Sequence, residues 1–86
     1  MEPFELKWRT SAARELKKLD RQVTHKIVDA AEQLPGNLFP DGSRKLQGSK
    51  HTYRIRIGDY RIVYEVHKET RTVIIARVRH RKDVYR

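Results

Sequence analysis

The sequence predicts an α+β fold: a short N-terminal strand, an antiparallel pair of helices, then a three-stranded antiparallel meander. Three stretches carry this expectation. Residues 53–66 read YRIRIGDYRIVYEV, two alternating runs on either side of Gly58-Asp59, the pattern of a half-buried β-hairpin. Val23, Ile27, Ala30, Ala31 and Leu34 recur at steps of three and four, the stripe of a helix with one buried side. Residues 72–79, TVIIARVR, have the β-branched content of a last strand.

The first strand rests on Phe4, Leu6 and Trp8, which alternate with Glu5 and Lys7; Trp8 is expected in the core rather than against a ligand. Thr10 or Ser11 offers an N-cap for a helix running to about Leu19, with Ala12, Leu16 and Leu19 on one side. Asp20 caps the second helix, and Pro35-Gly36 ends it. The short link sets the two helices antiparallel across the sheet. Residues 37–50 read as a loop with a turn at Pro40-Asp41-Gly42. The loop cations Arg44, Lys45 and Lys50 either flank a nucleic-acid path or are solvated loop charge.

In the hairpin, Gly at the first central position suits a type II′ turn. Ile57 then faces Tyr60, Arg56 faces Arg61, Ile55 faces Ile62 and Tyr53 faces Tyr64. The core face receives Tyr53, Ile55, Ile57, Tyr60, Ile62 and Tyr64, and the opposite face receives Arg54, Arg56 and Arg61. A three-residue turn at Lys68-Glu69-Thr70 would set Glu65 opposite Val73, Tyr64 opposite Ile74 and Arg61 opposite Arg77. Ile74, Ala76 and Val78 would point inward, and Arg77 and Arg79 would join the face of Arg61. The chain closes on a basic stretch, RHRKDVYR, from Arg79 to Arg86.

Eighty-six residues suffice for one domain, expected to span 1–86, with one small core. There is no cysteine, hence no disulfide framework and no thiolate metal site. No apolar run approaches a membrane span, and MEPFELKW has no signal-peptide pattern, so a cytoplasmic protein without a membrane segment is expected. His25, His51 and His67 lack metal-ligand spacing, and neither a metal nor a cofactor is expected. The net charge of +9 points to a polyanionic partner: nucleic acid, the ribosome or an acidic protein.

The opposed Arg56 and Arg61 are the sharpest chemical signal. Like charges directly across a sheet repel, and a sheet built only for stability would place a carboxylate there. Two readings stand: an ordinary solvated face, or arginines awaiting an anion such as phosphate, which a guanidinium grips with two parallel bonds. Near the end of that face, His80, Arg81 and Tyr85 add an imidazole, a guanidinium and a phenol, groups able to move a proton, hold charge and stack on a base. No glycine-rich phosphate loop, nucleophile elbow or acid–base carboxylate pair is present.

YRIRIGDYRIVYEV followed by HRKDVYR resembles the RelE branch of the RelE/ParE toxin superfamily, and the likeness runs along essentially the whole chain. The resemblance implies a RelE-like fold akin to small microbial ribonucleases. It also implies the toxin of a type II toxin–antitoxin system, a ribosome-dependent endoribonuclease that cleaves mRNA in the A site and blocks translation. The partners it implies are the ribosome and a RelB-like antitoxin, acidic and partly helical. The implied reaction is metal-independent attack of a 2′-hydroxyl on its own 3′-phosphate. Arg61 and Arg81 match the arginines that hold the scissile phosphate, and Tyr85 the terminal tyrosine beside the nucleotide. Arg54 and Arg56 stand at the first basic pair, where some members carry lysines; an arginine stays charged, so neither can be the base. His80 is the candidate proton carrier, and Arg77, Arg79 and Lys50 are candidate substrate contacts. Two other functions fit the same pattern: a ParE-like toxin that inhibits DNA gyrase without cleaving RNA, and a small basic RNA- or ribosome-binding module.

Overall fold

The computed structural model describes residues 4–84. Strand β1 (Glu5–Trp8) leads into helices α1 (Thr10–Lys17) and α2 (Arg21–Gln33), and a 3-10 turn (Leu34–Gly36) closes α2. Strands β2 (Arg44–Lys45), β3 (Thr52–Ile57), β4 (Tyr60–His67) and β5 (Thr72–His80) follow, then a one-turn helix α3 (Arg81–Val84). All five strands form one sheet in the order β1-β5-β4-β3-β2, with only β1 parallel to its neighbour β5. The expected order of strand, helix pair and meander is present. The loop of residues 37–50 contributes one strand more, β2, because two residues are too few to show a period. The C-terminal stretch begins as a helical turn rather than as an open tail. No described helix is long and apolar enough to cross a membrane.

Asp20 caps α2 as expected, its carboxylate accepting the Val23 N–H at 3.0 Å. α1 differs. Arg9 takes its cap position with extended backbone, because its N–H is tied to the Ile75 carbonyl at 2.9 Å at the end of the β1–β5 pairing. The helix can therefore start at Thr10, and it ends at Lys17 rather than near Leu19. Ser11, released from capping, donates its hydroxyl to the Ala76 carbonyl at 3.2 Å.

The helices cover one sheet face. Ala12, Ile27, Ala31 and Leu34 meet Ile55, Ile62, Tyr64, Val66, Val73, Ile75 and Val78 in a single core, with Trp8, Leu16, Leu19 and Val23 packed around it. Burial pushes the Tyr64 phenol up from its ordinary pKa, and its O–H donates to the Leu38 carbonyl at 2.9 Å, which pins the loop after α2 to the core. The β3–β4 register is the predicted one, and Gly58 takes the left-handed φ of 60° that the turn requires.

The β4–β5 register is not the predicted one. The turn holds four residues, 68–71, with Arg71 in the left-handed region at φ 51°, so His67 pairs with Thr72 and Tyr64 with Ile75. A β-bulge at Val63/Tyr64 then leaves Ala76 out of the ladder, after which Val63 meets Arg77 and Arg61 meets Arg79. Val73, Ile75 and Val78 are buried, whereas Ile74 and Ala76 are only half-buried. The cause lies in the run Val73-Ile74-Ile75, which is apolar at both parities, so burial alone cannot choose between them. The bulge then lets three residues of unlike parity all point inward.

Candidate active site

The sheet face away from the helices carries arginines in two rows. Arg56, Arg61 and Arg79 stand side by side across β3, β4 and β5. Arg44, Arg54 and Arg77 belong to the next row, with Val63 between the last two. Helix α1 supplies a counter-charge at one end. Glu15 holds Arg79 at 3.1 Å and Arg77 at 3.8 Å, and its other oxygen accepts the Val78 N–H at 3.0 Å. Arg77 and Arg79 thus lie on the predicted face but are engaged by Glu15.

At the other end of the rows, a cavity of about 280 Å³ is lined by Arg56, Asp59, Tyr60, Arg61, Arg81 and Lys82. Backbone bonds assemble it. The Arg81 N–H donates to the Asp59 carbonyl at 2.7 Å and so docks α3 on the hairpin turn. Arg56 Nε donates to the Gly58 carbonyl at 2.9 Å and is held along the same turn. His80 Nδ1 accepts the Lys82 N–H at 3.1 Å. The His80 ring meets Tyr60 edge-on, centroids 4.9 Å apart, and is next to the cavity rather than among the residues lining it. A shallower hollow of about 180 Å³ adjoins it, lined by Gly42, Arg44, Arg54, Arg56 and Arg61.

The structure therefore brings Arg56, Arg61 and Arg81 together, with Arg54 beside them. Lys50 lies elsewhere, on a separate hollow. Tyr85 lies outside the described residues. Asp59 and Lys82 escaped the sequence reading, one as a turn residue and one as part of a basic tail. Their shared cavity follows from the meeting of turn and tail, for which neither stretch alone carries a signal. Further along the arginine face, Glu65 is gripped by a fork of Arg9 bonds at 2.9–3.1 Å and touches His67 Nε2 at 2.8 Å. Partial burial alone would raise its carboxyl, but His67 and Arg9 overcome that and hold it below the ordinary value.

Guanidiniums converging on a concave site of this size can bind a phosphodiester and stabilise charge that develops on it. Fold and site together define a small α+β protein with a guanidinium-lined concavity on its open sheet face. The family model of the ParE toxin of the type II toxin–antitoxin system parDE matches residues 6–85. The chain belongs to the RelE/ParE superfamily, the toxins of type II toxin–antitoxin systems. It is similar to the toxin RelG of Mycobacterium tuberculosis, 34% identical over 88 residues, which span 98% of each chain. It is also similar to the toxin–antitoxin complex RelBE2 of the same species, with TM-score 0.80 and 30% identity over 92% of this chain and 99% of that one. The archaeal RelE–RelB complex of Pyrococcus horikoshii shares the fold, with TM-score 0.82 and 22% identity over 93% of this chain and 97% of that one.

Proposed function

We propose that this toxin is a ribosome-dependent endoribonuclease that cuts mRNA in the A site. The observation that carries the reading is the assembly of Arg56, Arg61 and Arg81 around one cavity, two of them set against each other by the hairpin register and the third delivered by the Arg81–Asp59 bond. In the proposed reaction the 2′-oxygen bonds to the adjacent phosphorus and the bond from phosphorus to the 5′-oxygen breaks. A 2′,3′-cyclic phosphate and a 5′-hydroxyl result, with the 2′-proton passing to a base and a proton returning to the 5′-oxygen. Arg61 and Arg81 hold the scissile phosphate and stabilise its added charge; Arg54 and Arg56 contact its neighbours. His80, outside the cavity lining but packed against Tyr60 of its wall, is the proposed proton carrier, and Asp59 is the carboxylate lining the cavity. Tyr85 is proposed to stack on a base.

Charge stabilisation is amply supplied here, whereas in-line placement of the 2′-oxygen must be imposed on a flexible strand. Such positioning is worth roughly 7–11 kcal/mol, and the ribosome would supply it by bending the mRNA against the arginines. The test compares one labelled mRNA with purified toxin alone and with programmed ribosomes whose A site is vacant. Fast cutting on ribosomes and slow or undetectable cutting of free RNA is expected; equal rates in both would overturn ribosome dependence. The structural relatives bound to RelB-type partners support a further reading, that an acidic, partly helical antitoxin covers or distorts this site. A second reading follows from the family model that bears the ParE name, inhibition of DNA gyrase without cleavage. Intact mRNA together with blocked supercoiling would select it.

A further inference from the structure

At the end of the sheet away from the hairpin turn, the residues leading into β3 and the β4–β5 turn border a larger hollow of about 480 Å³. Lys45, Lys50 and Lys68 line it with the imidazoles of His51 and His67, against one carboxylate, Glu69. None of the three lysines has an ion-pair partner among the described residues; Lys68 sits 5.8 Å over the Phe39 ring. Four cations elsewhere are balanced, Lys7 by Glu5, Arg9 by Glu65, and Arg77 and Arg79 by Glu15, whereas the lysines here converge on one concavity with a single carboxylate in its lining. Charge left unbalanced around a concavity raises the local concentration of anions.

Strand β2 joins this hollow to the arginine face. Arg44 pairs opposite Arg54 and Lys45 opposite Tyr53, so these successive side chains point to opposite faces of the sheet. β2 is also the outermost strand, with nothing paired beyond it among the described residues. The cationic surface therefore runs from the arginine rows around the free edge into the lysine hollow. We propose that this hollow is a second phosphate-binding site, through which an RNA strand held on the arginine face continues around β2. The inference rests on the RNA reading of that face. Lysines act as point charges that follow a phosphate chain without demanding forked geometry, and the two imidazoles can meet a base. An acidic peptide fits less well. Helical peptides anchor through apolar side chains, and Phe39, the exposed large apolar residue here, is already flanked by Tyr53 and Lys68.

The test measures equilibrium binding of two single-stranded, non-cleavable RNAs with 2′-O-methyl groups: a trinucleotide and a strand of about 12 nucleotides, a length within known single-strand site sizes. The proteins are the intact chain and its Lys45→Gln/Lys50→Gln/Lys68→Gln variant, with circular dichroism confirming that the variant is folded. Each phosphate contact on a single strand contributes a salt slope of about 0.7, so the variant should bind the longer strand with a slope shallower by about two units. Trinucleotide binding should stay the same. An unchanged slope and affinity for the longer strand would overturn the second site and leave the arginine-face reading intact. Loss of binding to an oligoglutamate probe with RNA binding unchanged would also overturn it, marking the hollow as a protein-docking surface. Lysine-dependent binding of the longer strand without any trinucleotide binding would uphold the hollow as an RNA site and count against the arginine face.

Discussion

Single residues set the chemistry through what stands opposite them. Arg61 has Arg56 on one side and Arg79 on the other, a row of like charges that a bound anion would make more favourable. Arg61→Ala and Arg81→Ala should each slow ribosome-dependent cleavage about a hundred- to a thousandfold, the usual cost of roughly 2.7–4 kcal/mol for one transition-state contact. Arg61→Lys keeps the charge but loses the fork, and should recover part of the loss; single-turnover cleavage measures all three. Wild-type rates in both alanine variants would remove these arginines from the site. Glu65 makes a prediction of a different kind. Its carboxyl is held below the ordinary value near 4.5, so its contribution to stability is fully present above that value and is lost as pH falls through the lower folded value. In Glu65→Gln the melting temperature should therefore fall less between neutral and acid pH than in the wild type. Parallel curves would mean that the pairs with Arg9 and His67 do not stabilise the fold.

Among the elements, β5 is the one whose placement the site depends on, and Glu15 is what holds its second half. β1 pairs with β5 only as far as Ile75, so beyond that point one edge of β5 faces α1, and Glu15 accepts the Val78 N–H there. Glu15→Ala should cost about 1.5–3 kcal/mol, the range for a hydrogen bond to a charged group. In a domain of this size that corresponds to a fall in melting temperature on the order of 10 °C. Glu15→Gln retains an acceptor and should cost less; equal losses in the two variants would show that the bond to Val78 is unimportant. The same strand marks the boundary of what the sequence discloses. The β3–β4 pairing was legible because a two-residue turn fixes register and its alternation admits one parity. In β5 the alternation is ambiguous, the turn has an extra residue at positive φ, and a bulge changes parity midway. The site divides in the same way. Arg54, Arg56 and Arg61 follow from the hairpin alone, whereas the places of Asp59, Lys82 and Arg44 depend on contacts between distant stretches.

For the molecule as a whole, the net charge of +9 is unevenly used. Acidic side chains bind cations at β1, Glu65 and Glu15, while the arginine cavity, the adjoining hollow and the lysine hollow are left with a surplus. A surface of this kind attracts any polyanion over a distance set by salt, about 10 Å at 0.1 M and 3 Å at 1 M. An acidic antitoxin should therefore associate quickly at low salt, with an on-rate that falls at least tenfold as salt rises toward 1 M. Its off-rate should change much less, because contacts already closed are shielded from ions. Stopped-flow mixing of the toxin with a RelB-type antitoxin, across a salt series, measures both rates. Arg44→Gln/Arg54→Gln should flatten the salt dependence of the on-rate if the arginine rows steer the encounter. An on-rate insensitive to salt in the unaltered toxin would mean that the antitoxin docks through apolar surface, and that the surplus charge serves RNA alone.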